Sequence, residues 1–499
     1  MIAEQNTPSI GGTSGRWETV RRSSLPWYAL IVLVMAPIYY KTLLPGLGFW
    51  GDSAKFQFAG KVLGTAHPPG YPLYLMLNHL FVSLVPRGTL AFKVNLLSAC
   101  FSLLTLLVLF DLLVRLRIRP LIAFTTVLIY ALSASFWLFA LVAEVYSLHI
   151  LLLVSVMNLL LRWRQSRSDA YFYAACLAYA ISFGNHQTMI ALLPSFAYLV
   201  WVTDKRTFWN PKKIAVVLGC ILVGLSQYLY IVWRTNDPST PFLETDTRIW
   251  LNFMKSPGTD VAFHMSLYQI LTDRVPLALG FFWKNFLLLL PAAAWGVFLV
   301  KNRQLNIFLL LLLATNTLLV LQLEFPGPDG VYLPSFLVVV IYIGFALDYA
   351  ARRFLPRPAY ALVLLAIPLV FLLINYRQVD QSQHTLHALI TEKILNQIGS
   401  NALIVADEYE YATYFWYYLI GEGMEARNIY ALPDFDTDPD EIRKYLLGEQ
   451  GMLIWQQRLT VPTGLPVYTL WKIAPELEAA GFQVTPTKLK YLYEVRLPQ

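Results

Sequence analysis

Charged residues are scarce in this sequence. Only 14% of its 499 residues are Asp, Glu, Lys or Arg, whereas 57% are hydrophobic and 15% are aromatic. The core of a soluble protein does not need that much apolar surface, but a surface that faces lipid does. The composition therefore argues against a soluble enzyme and predicts an integral membrane protein.

Cysteine is rarer still. The three cysteines, Cys100, Cys176 and Cys220, fall inside apolar runs, where each would pack as a small hydrophobic side chain. Their spacing gives neither a disulfide framework nor a metal-ligand pattern. The net charge of +7 does not indicate nucleic acid as a partner, because Lys and Arg gather in short connections between apolar runs.

The apolar runs recur at lengths that fit helices spanning a bilayer. We predict about eleven transmembrane helices, at 27–44, 94–114, 120–137, 139–161, 170–183, 187–202, 214–233, 276–300, 305–323, 332–349 and 359–374. Every second connection is basic, and the alternate short connections, at 136–139, 184–186 and 324–330, contain no Lys or Arg. By the positive-inside rule, residues 1–26 form a cytoplasmic tail and the C-terminus is external.

The first apolar run has no small-residue cleavage pattern after it, so we expect a retained anchor. The shorter run at 71–85 would invert every later connection if it crossed the membrane, so we place it at the external interface. Two long external segments remain, at 45–93 and 234–275. Long loops on one face are where function usually lies.

The chain becomes polar after residue 375. Strand-like runs at 402–406, 428–432, 466–470 and 491–495 alternate with helix-like runs at 411–419, 438–447 and 474–480. This order predicts a small external α/β domain over 376–499. It contains no phosphate-binding loop, triad or metal cluster, so its role is either accessory, for example acceptor binding, or structural.

Several polar residues stand out on the external side of the predicted membrane body. Glu144 and His186 lie at external ends of spans, on the same face as Asp52 and His67, and these four could meet in one cavity. The structural alternatives are a helix-end carboxylate for Glu144 and a capping or packing histidine for His186. Asp111 is different, because Arg115 follows one helical turn later and should pair with it.

Two further features have both a functional and a structural interpretation. Arg234 ends the seventh predicted span and could clamp a lipid phosphate or anchor the helix at the interface. HPPGYP, at 67–72, combines prolines that prevent a helix, a glycine that permits a turn and Pro72, which can start the next helix. This stiff bend would deliver His67 to a fixed place or serve the fold alone.

Six segments together resemble a known family. They are GDS (51–53), AHPPGYPLY (66–74), AEVYSLH (143–149), GNH (184–186), YLYIVWR (228–234) and VYLPSF (331–336). The family is one of polytopic proteins, long called a domain of unknown function, that includes a vertebrate protein O-mannosyltransferase and belongs to the glycosyltransferase-C superfamily. The resemblance covers about 27–375 and leaves the C-terminal domain out.

The resemblance implies an external active site in which an acidic residue just after the first span acts as catalytic base. Asp52 matches that position. Relatives often read Asp-Ser-Gly-Glu there, whereas this chain places Lys55 where the second carboxylate would stand. A metal held by an acidic pair is therefore in doubt. We predict no obligatory cofactor, with a divalent metal as the alternative.

We therefore expect an inverting glycosyltransferase that moves a hexose, mannose or another, from a polyprenyl-phosphate donor to a hydroxyl of a protein Ser/Thr or a glycan. Asp52 would be the base, and Arg234, with Lys55 or His67, would stabilise the departing phosphate. The expected location is the prokaryotic plasma (inner) membrane. A flippase and a non-catalytic scaffold are the alternatives, although no internal repeat supports the former.

Overall fold

The structure, a computed structural model, describes residues 13–48, 52–255, 263–324, 328–354, 357–433 and 438–498. Its larger part is a helical body. The helices of this body and its loops, α1 to α18, are Thr13–Thr42, Ser53–Ala59, Pro72–Leu84, Leu90–Arg115, Pro120–Ala131, Ala134–Leu141, Tyr146–Ser166, Asp169–Ser182, Leu193–Asp204, Pro211–Ser226, Leu229–Asn236, Thr247–Lys255, Leu267–Gln269, Val275–Phe286, Leu290–Leu299, Arg303–Leu321, Leu333–Arg353 and Arg357–Val379. Single turns of 3₁₀-helix at Gln187–Leu192, Lys205–Trp209, Leu287–Leu289 and Pro328–Gly330, and a π-turn at Ile270–Arg274, connect some of them.

Within the described ranges, seven helices or continuous helix runs are long and apolar enough to cross a membrane. An eighth is counted if α5 and α6, which are bent by 68° relative to each other, form one broken span. The chain is therefore a multi-pass α-helical membrane protein. Each of the eleven predicted apolar segments lies on helical structure, but some are short, such as α8 with 14 residues, so the number of spans stays a prediction.

One predicted connection is wrong. Residues 136–139 do not form a turn, because helix α6 runs through them and the chain turns after it, at 142–145. The sequence ASFWLFAL of α6 has no residue that breaks a helix, and the helix ends where Val142 adopts an extended conformation. Glu144 therefore lies in the turn itself, before the first residue of α7.

The predicted Asp111–Arg115 pair is confirmed, with 2.7 Å between Nε of Arg115 and a carboxylate oxygen. Arg162 of α7 adds a second contact to the same carboxylate at 2.9 Å. Since α4 packs along α7, this network joins two spans at their basic ends. This network is a structural cluster.

The HPPGYP segment forms the predicted bend. The backbone N–H of Gly70 donates to the carbonyl of His67 at 2.8 Å, and Gly70 adopts a φ of +91°, which suits glycine. Pro72 then begins α3. The bend therefore lies between α2 and α3, and its first residue, His67, faces back toward Asp52.

The C-terminal domain contains helices α19 to α22 and strands β1 to β7. The helices are Leu386–Ile398, Tyr409–Trp416, Pro439–Leu446 and Ala474–Ala479, and the strands are Ala402–Ala406, Ile429–Pro433, Met452–Ile454, Leu459–Val461, Val467–Leu470, Gln483–Pro486 and Leu492–Arg496. The main sheet has the order β2-β1-β5-β7-β6. Strands β2, β1 and β5 are parallel to one another, and β7 runs antiparallel to both of its neighbours, β5 and β6. The predicted α/β domain is confirmed, with its four predicted strands.

This domain shares a hydrophobic core with both long loops, 45–93 and 234–275. Trp416 of α20 meets Phe242 with 5.5 Å between ring centroids. Gly421 lies so close to Phe58 of α2 that a Cβ there would be 2.6 Å from the Phe58 Cβ. The domain is therefore part of the structure that positions α2, not a body on a free tether.

Candidate active site

Asp52 lies immediately before α2, on the face of the membrane body that bears the C-terminal domain. Its carboxylate meets the ammonium of Lys55 at 2.7 Å, because residues three apart on a helix share one side. The other carboxylate oxygen lies 3.6 Å from Nδ1 of His67. The Asp52 side chain is 37% exposed, so it can still be approached by a substrate.

Lys55 itself is buried, with 2% of its side chain exposed. A second carboxylate, Glu244, holds it from the other side at 3.1 Å. Glu244 comes from the second long loop, which pairs with the first: its N–H donates to the carbonyl of Thr65, and Thr245 donates to the carbonyl of Ala66. The second acid that seemed lost from the motif is thus supplied by another part of the chain.

Sequence reasoning missed Glu244. It is 189 residues from Lys55 along the chain and lies in an irregular loop, where no periodicity reports its neighbours. An acidic residue within a long loop on the functional face was the only available signal. The structure thus adds to the predicted site one acid that touches Lys55 directly.

Electrostatics keep Asp52 and Lys55 ionised. Burial alone would raise the pKa of Asp52, but the charges of His67 and Lys55 outweigh it and lower the pKa to about 2. Burial lowers the pKa of His67 below its usual value, so at neutral pH Lys55 is the cation that acts on Asp52. For Lys55, Asp52 and Glu244 outweigh the effect of burial and raise the pKa above its usual range.

Glu144 supports the same residue from behind. Its Oε1 accepts the backbone N–H of Asp52 at 3.1 Å, and the side chain is buried. Burial, together with the nearby Asp52 charge, raises the pKa of Glu144 well above its usual range. A carboxyl oxygen can accept this bond in either protonation state, so Glu144 fixes the backbone of Asp52.

His67 and His186 complete one wall. The hydroxyl of Tyr71 lies 2.9 Å from Nε2 of His67, and the Tyr71 ring packs against His186 with 6.3 Å between centroids. Nδ1 of His186 is 2.7 Å from the Thr188 hydroxyl. Burial, with a smaller effect of His67, lowers the pKa of His186 to about 4, so this ring is neutral at pH 7.

Arg234 lies elsewhere. Its guanidinium pairs with Asp237 at 2.6 Å and packs over the ring of Trp233. The side chain is 7% exposed and does not line the cavity that contains Asp52. A role for Arg234 in binding the donor phosphate stays a prediction, and the residue already has an acidic partner.

A cavity of about 1620 Å³ opens at these residues. Asp52, His67, Glu144 and His186 line one end of it. Apolar side chains of α7 to α10 line its length. Lys213, near the N-terminus of α10, also lines the cavity. From Lys213 to Leu225, both in the lining, α10 rises about 18 Å, most of the thickness of a bilayer core.

Among the described residues, no group of three or more His, Cys, Asp or Glu side chains is arranged to hold a metal ion. The acids around Asp52 are instead interleaved with Lys55. The expected independence from metal stays a prediction.

The architecture of the chain identifies its fold class. A polytopic helical body with long loops on one face and a soluble α/β domain is the GT-C fold. Two solved structures share it: ArnT from Cupriavidus metallidurans in the apo state, with a TM-score of 0.63 and 13% identity over 96% of this chain and 100% of that one, and the same protein bound to undecaprenyl phosphate, with a TM-score of 0.59 and 12% identity over 95% and 99%. At these identities the likeness shows the fold.

The family resemblance is then confirmed by sequence comparison. Residues 52–209 match the model of the Protein O-mannosyl-transferase TMEM260 N-terminal domain. The Protein O-mannosyl-transferase TMEM260 of Mus musculus is 28% identical over 241 residues, and tmem260 of Dictyostelium discoideum is 23% identical over 231. These matches cover 46% and 43% of this chain but only 33% and 28% of the relatives, so the chain matches a third or less of their length.

Proposed function

We propose that this chain is a membrane glycosyltransferase that transfers a hexose, mannose or another, from a polyprenyl-phosphate donor to a hydroxyl of a protein or glycan. The observation that carries the proposal is an ionised, accessible Asp52 at the mouth of a long apolar cavity. One end of the cavity offers Asp52 as a base, and the rest of the cavity accommodates a lipid chain. The names of the matched relatives and the undecaprenyl phosphate bound to ArnT support the same reading.

The chemistry is a single displacement. The acceptor oxygen attacks the anomeric carbon while its proton passes to a carboxylate oxygen of Asp52. The bond between that carbon and the phosphate oxygen breaks, and its electron pair leaves with the lipid phosphate. Attack opposite the leaving group inverts the anomeric configuration, as we expect for this enzyme.

The position of Lys55 resolves a difficulty with such a base. A carboxylate with a pKa near 2 is a weak base in the resting site. Lys55 is held by Glu244 as well, so it can shift its hydrogen bonds away from Asp52 when an anionic donor enters. The basicity of Asp52 would then rise in the complex that reacts.

The cavity suits the donor better than the acceptor. A polyprenyl chain is uncharged and long, and the residues of α8 to α10 that face the cavity are mostly apolar. The acceptor would approach Asp52 from the water-exposed side, beside Glu410 of α20, which also lines the cavity. On this proposal the C-terminal domain would lie next to the acceptor path.

The location of the enzyme follows from the same proposal. The active face is external by the charge of the connections, and the membrane would be the plasma membrane of a prokaryote. The matched curated relatives come from eukaryotes and the solved structure from a bacterium. The prokaryotic membrane therefore stays a prediction.

The decisive experiment uses the purified full chain in liposomes that contain a labelled polyprenyl-phosphate hexose. Transfer of label to a hydroxyl acceptor, with release of polyprenyl phosphate, is the expected result. Movement of the lipid between leaflets without transfer would instead identify a flippase. If neither transfer nor lipid movement is seen with mannose or other hexose donors, a scaffold role remains and the proposal is overturned. Adding EDTA in a parallel assay tests the expected independence from metal.

A further inference from the structure

Lys284 is an ionisable residue inside an apolar membrane segment. It lies in the last turn of α14, within the span-length helix run Leu267–Leu299. Charged side chains at such positions are costly unless they face a cavity or find a partner. Lys284 lines the same cavity as Asp52.

No acidic partner satisfies Lys284 within the part of the chain that the structure describes. Among the described residues, no carboxylate oxygen lies within 4 Å of its ammonium. Other cations in this region are already paired: Lys55 with Asp52 and Glu244, and Arg234 with Asp237. Lys213, at the far end of the cavity, is held by Asp169 at 2.7 Å.

The backbone beside Lys284 is fixed. Its neighbour Asn285 is buried and makes two bonds to Ser135 of α6: it accepts the Ser135 N–H at 2.8 Å and donates to the Ser135 hydroxyl at 3.0 Å. The helix then ends at Phe286, and Leu287 has a φ of +48°. Lys284 is thus presented to the cavity from an anchored helix end.

Asp329 is the acidic residue whose charge Lys284 affects. It lies in the connection before α17 and accepts a bond from the Ser135 hydroxyl at 3.3 Å. Burial raises its pKa, although the positive charge of Lys284 opposes that rise. Asp329 is therefore a weak counter-ion, and the ammonium of Lys284 stays available to an anion that enters the cavity.

We propose that Lys284 binds the phosphate of an isoprenoid phosphate whose chain lies in the apolar part of the cavity. The inference rests on the proposed function, because it assigns a residue to the donor of that reaction. An ammonium there compensates the charge of the bound phosphate and the further charge that the phosphate gains as the sugar leaves. Arg234, by contrast, is paired with Asp237 and does not line this cavity.

The test measures binding, not turnover. Purified full-length protein is titrated with undecaprenyl phosphate and, separately, with undecaprenol, its neutral alcohol. Lys284→Ala should weaken binding of the phosphate by about 10-fold or more, the scale of one charge-assisted hydrogen bond, and leave the alcohol unchanged. Lys284→Arg should restore most of the phosphate affinity.

Lys213→Ala is the matched control, since it also removes a cavity-lining lysine, but one that is paired with Asp169. It should not alter the preference for phosphate over alcohol. Equal loss of both ligands in Lys284→Ala, or no loss of either, would overturn the proposal. If the alanine variant does not fold, Lys284→Met keeps the length of the side chain and carries the same prediction.

Two competitors separate the sources of the phosphate. Phosphatidic acid and inorganic phosphate should displace undecaprenyl phosphate poorly, because neither fills the cavity with an isoprenoid chain. Binding of phosphatidic acid that depends on Lys284 and resists undecaprenyl phosphate would assign the site to a membrane phospholipid instead. Because these assays contain neither sugar nor acceptor, they can succeed when transfer fails, and the two proposals are refuted separately.

Discussion

Replacement of Asp52 by asparagine tests the catalytic assignment most directly. Asparagine keeps the size of the side chain and an oxygen that can accept from Lys55, but it is not a base. A positioned general base contributes about 10²- to 10⁴-fold to a rate, which corresponds to about 3–5 kcal/mol of activation free energy. We expect Asp52→Asn to reduce sugar transfer by at least about 10²-fold.

The structure also bounds what the substitution does to stability. Removing the only partner of a buried charge costs about 3–5 kcal/mol. Lys55 keeps Glu244 at 3.1 Å, and the N–H of residue 52 keeps its bond to Glu144. The loss should therefore be smaller, about 1.5–3 kcal/mol in unfolding free energy, the scale of one hydrogen bond to a charged group. Donor binding should be nearly unchanged.

The assay is transfer of labelled sugar by reconstituted protein, with kcat and KM determined for the donor and thermal unfolding measured in parallel. Asp246→Asn is a control, because Asp246 only caps α12 by accepting the N–H of Ile249. The lowered pKa of Asp52 keeps it ionised in the free enzyme from pH 5 to pH 8, so the ratio of wild-type to variant kcat/KM should be constant over that range. Near-normal turnover by folded Asp52→Asn would refute the assignment, and a ratio that shrinks toward pH 5 would contradict the electrostatics.

Substitutions at three further positions probe the groups around the base and the packing of α2. Glu244→Gln should lower kcat by about 10-fold with little change in donor KM, because the ammonium it holds would lose its second carboxylate, whereas Glu494→Gln, which breaks an exposed ion pair, should not. The transfer rate of Glu144→Gln should stay within about threefold of wild type, because glutamine keeps the oxygen that accepts the Asp52 N–H, whereas that of Glu144→Ala should fall further. A large loss of rate in the glutamine variant would show that a charge acts there. Gly421→Ala should lower unfolding free energy by about 1–3 kcal/mol through a clash with Phe58, and a thermal melt equal to that of wild type would show that the contact can relax.

The sequence was most informative where a regular pattern or a fixed motif reports the structure. The short apolar run ALIVA placed strand β1 at its observed bounds, 402–406, and the rigid HPPGYP segment located both the bend and the start of α3. Strands β3 and β4, with three residues each, were too short to stand out. The broken span at α5 and α6 was misplaced, because hydropathy alone does not show where a continuous apolar run bends.

The candidate site was predictable only in part for a related reason. Asp52 was identified through a resemblance, and the family model that matches the chain begins at that residue. Glu244 reaches Lys55 through the pairing of two irregular loops, which no local pattern encodes. Lys284 stands alone in an apolar run, and only the structure shows that no acidic partner pairs with it among the described residues.

The core shared by the first long loop and the C-terminal domain has a consequence for biosynthesis. The ribosome makes α2 early and Trp416 and Gly421 only after all the membrane helices described here. Tyr409, from the same late segment, places its ring 5.0 Å from the ammonium of Lys55. On the proposed function, this site is assembled from early and late segments of the chain, and we expect a nascent chain in the bilayer to be inactive until its late domain docks.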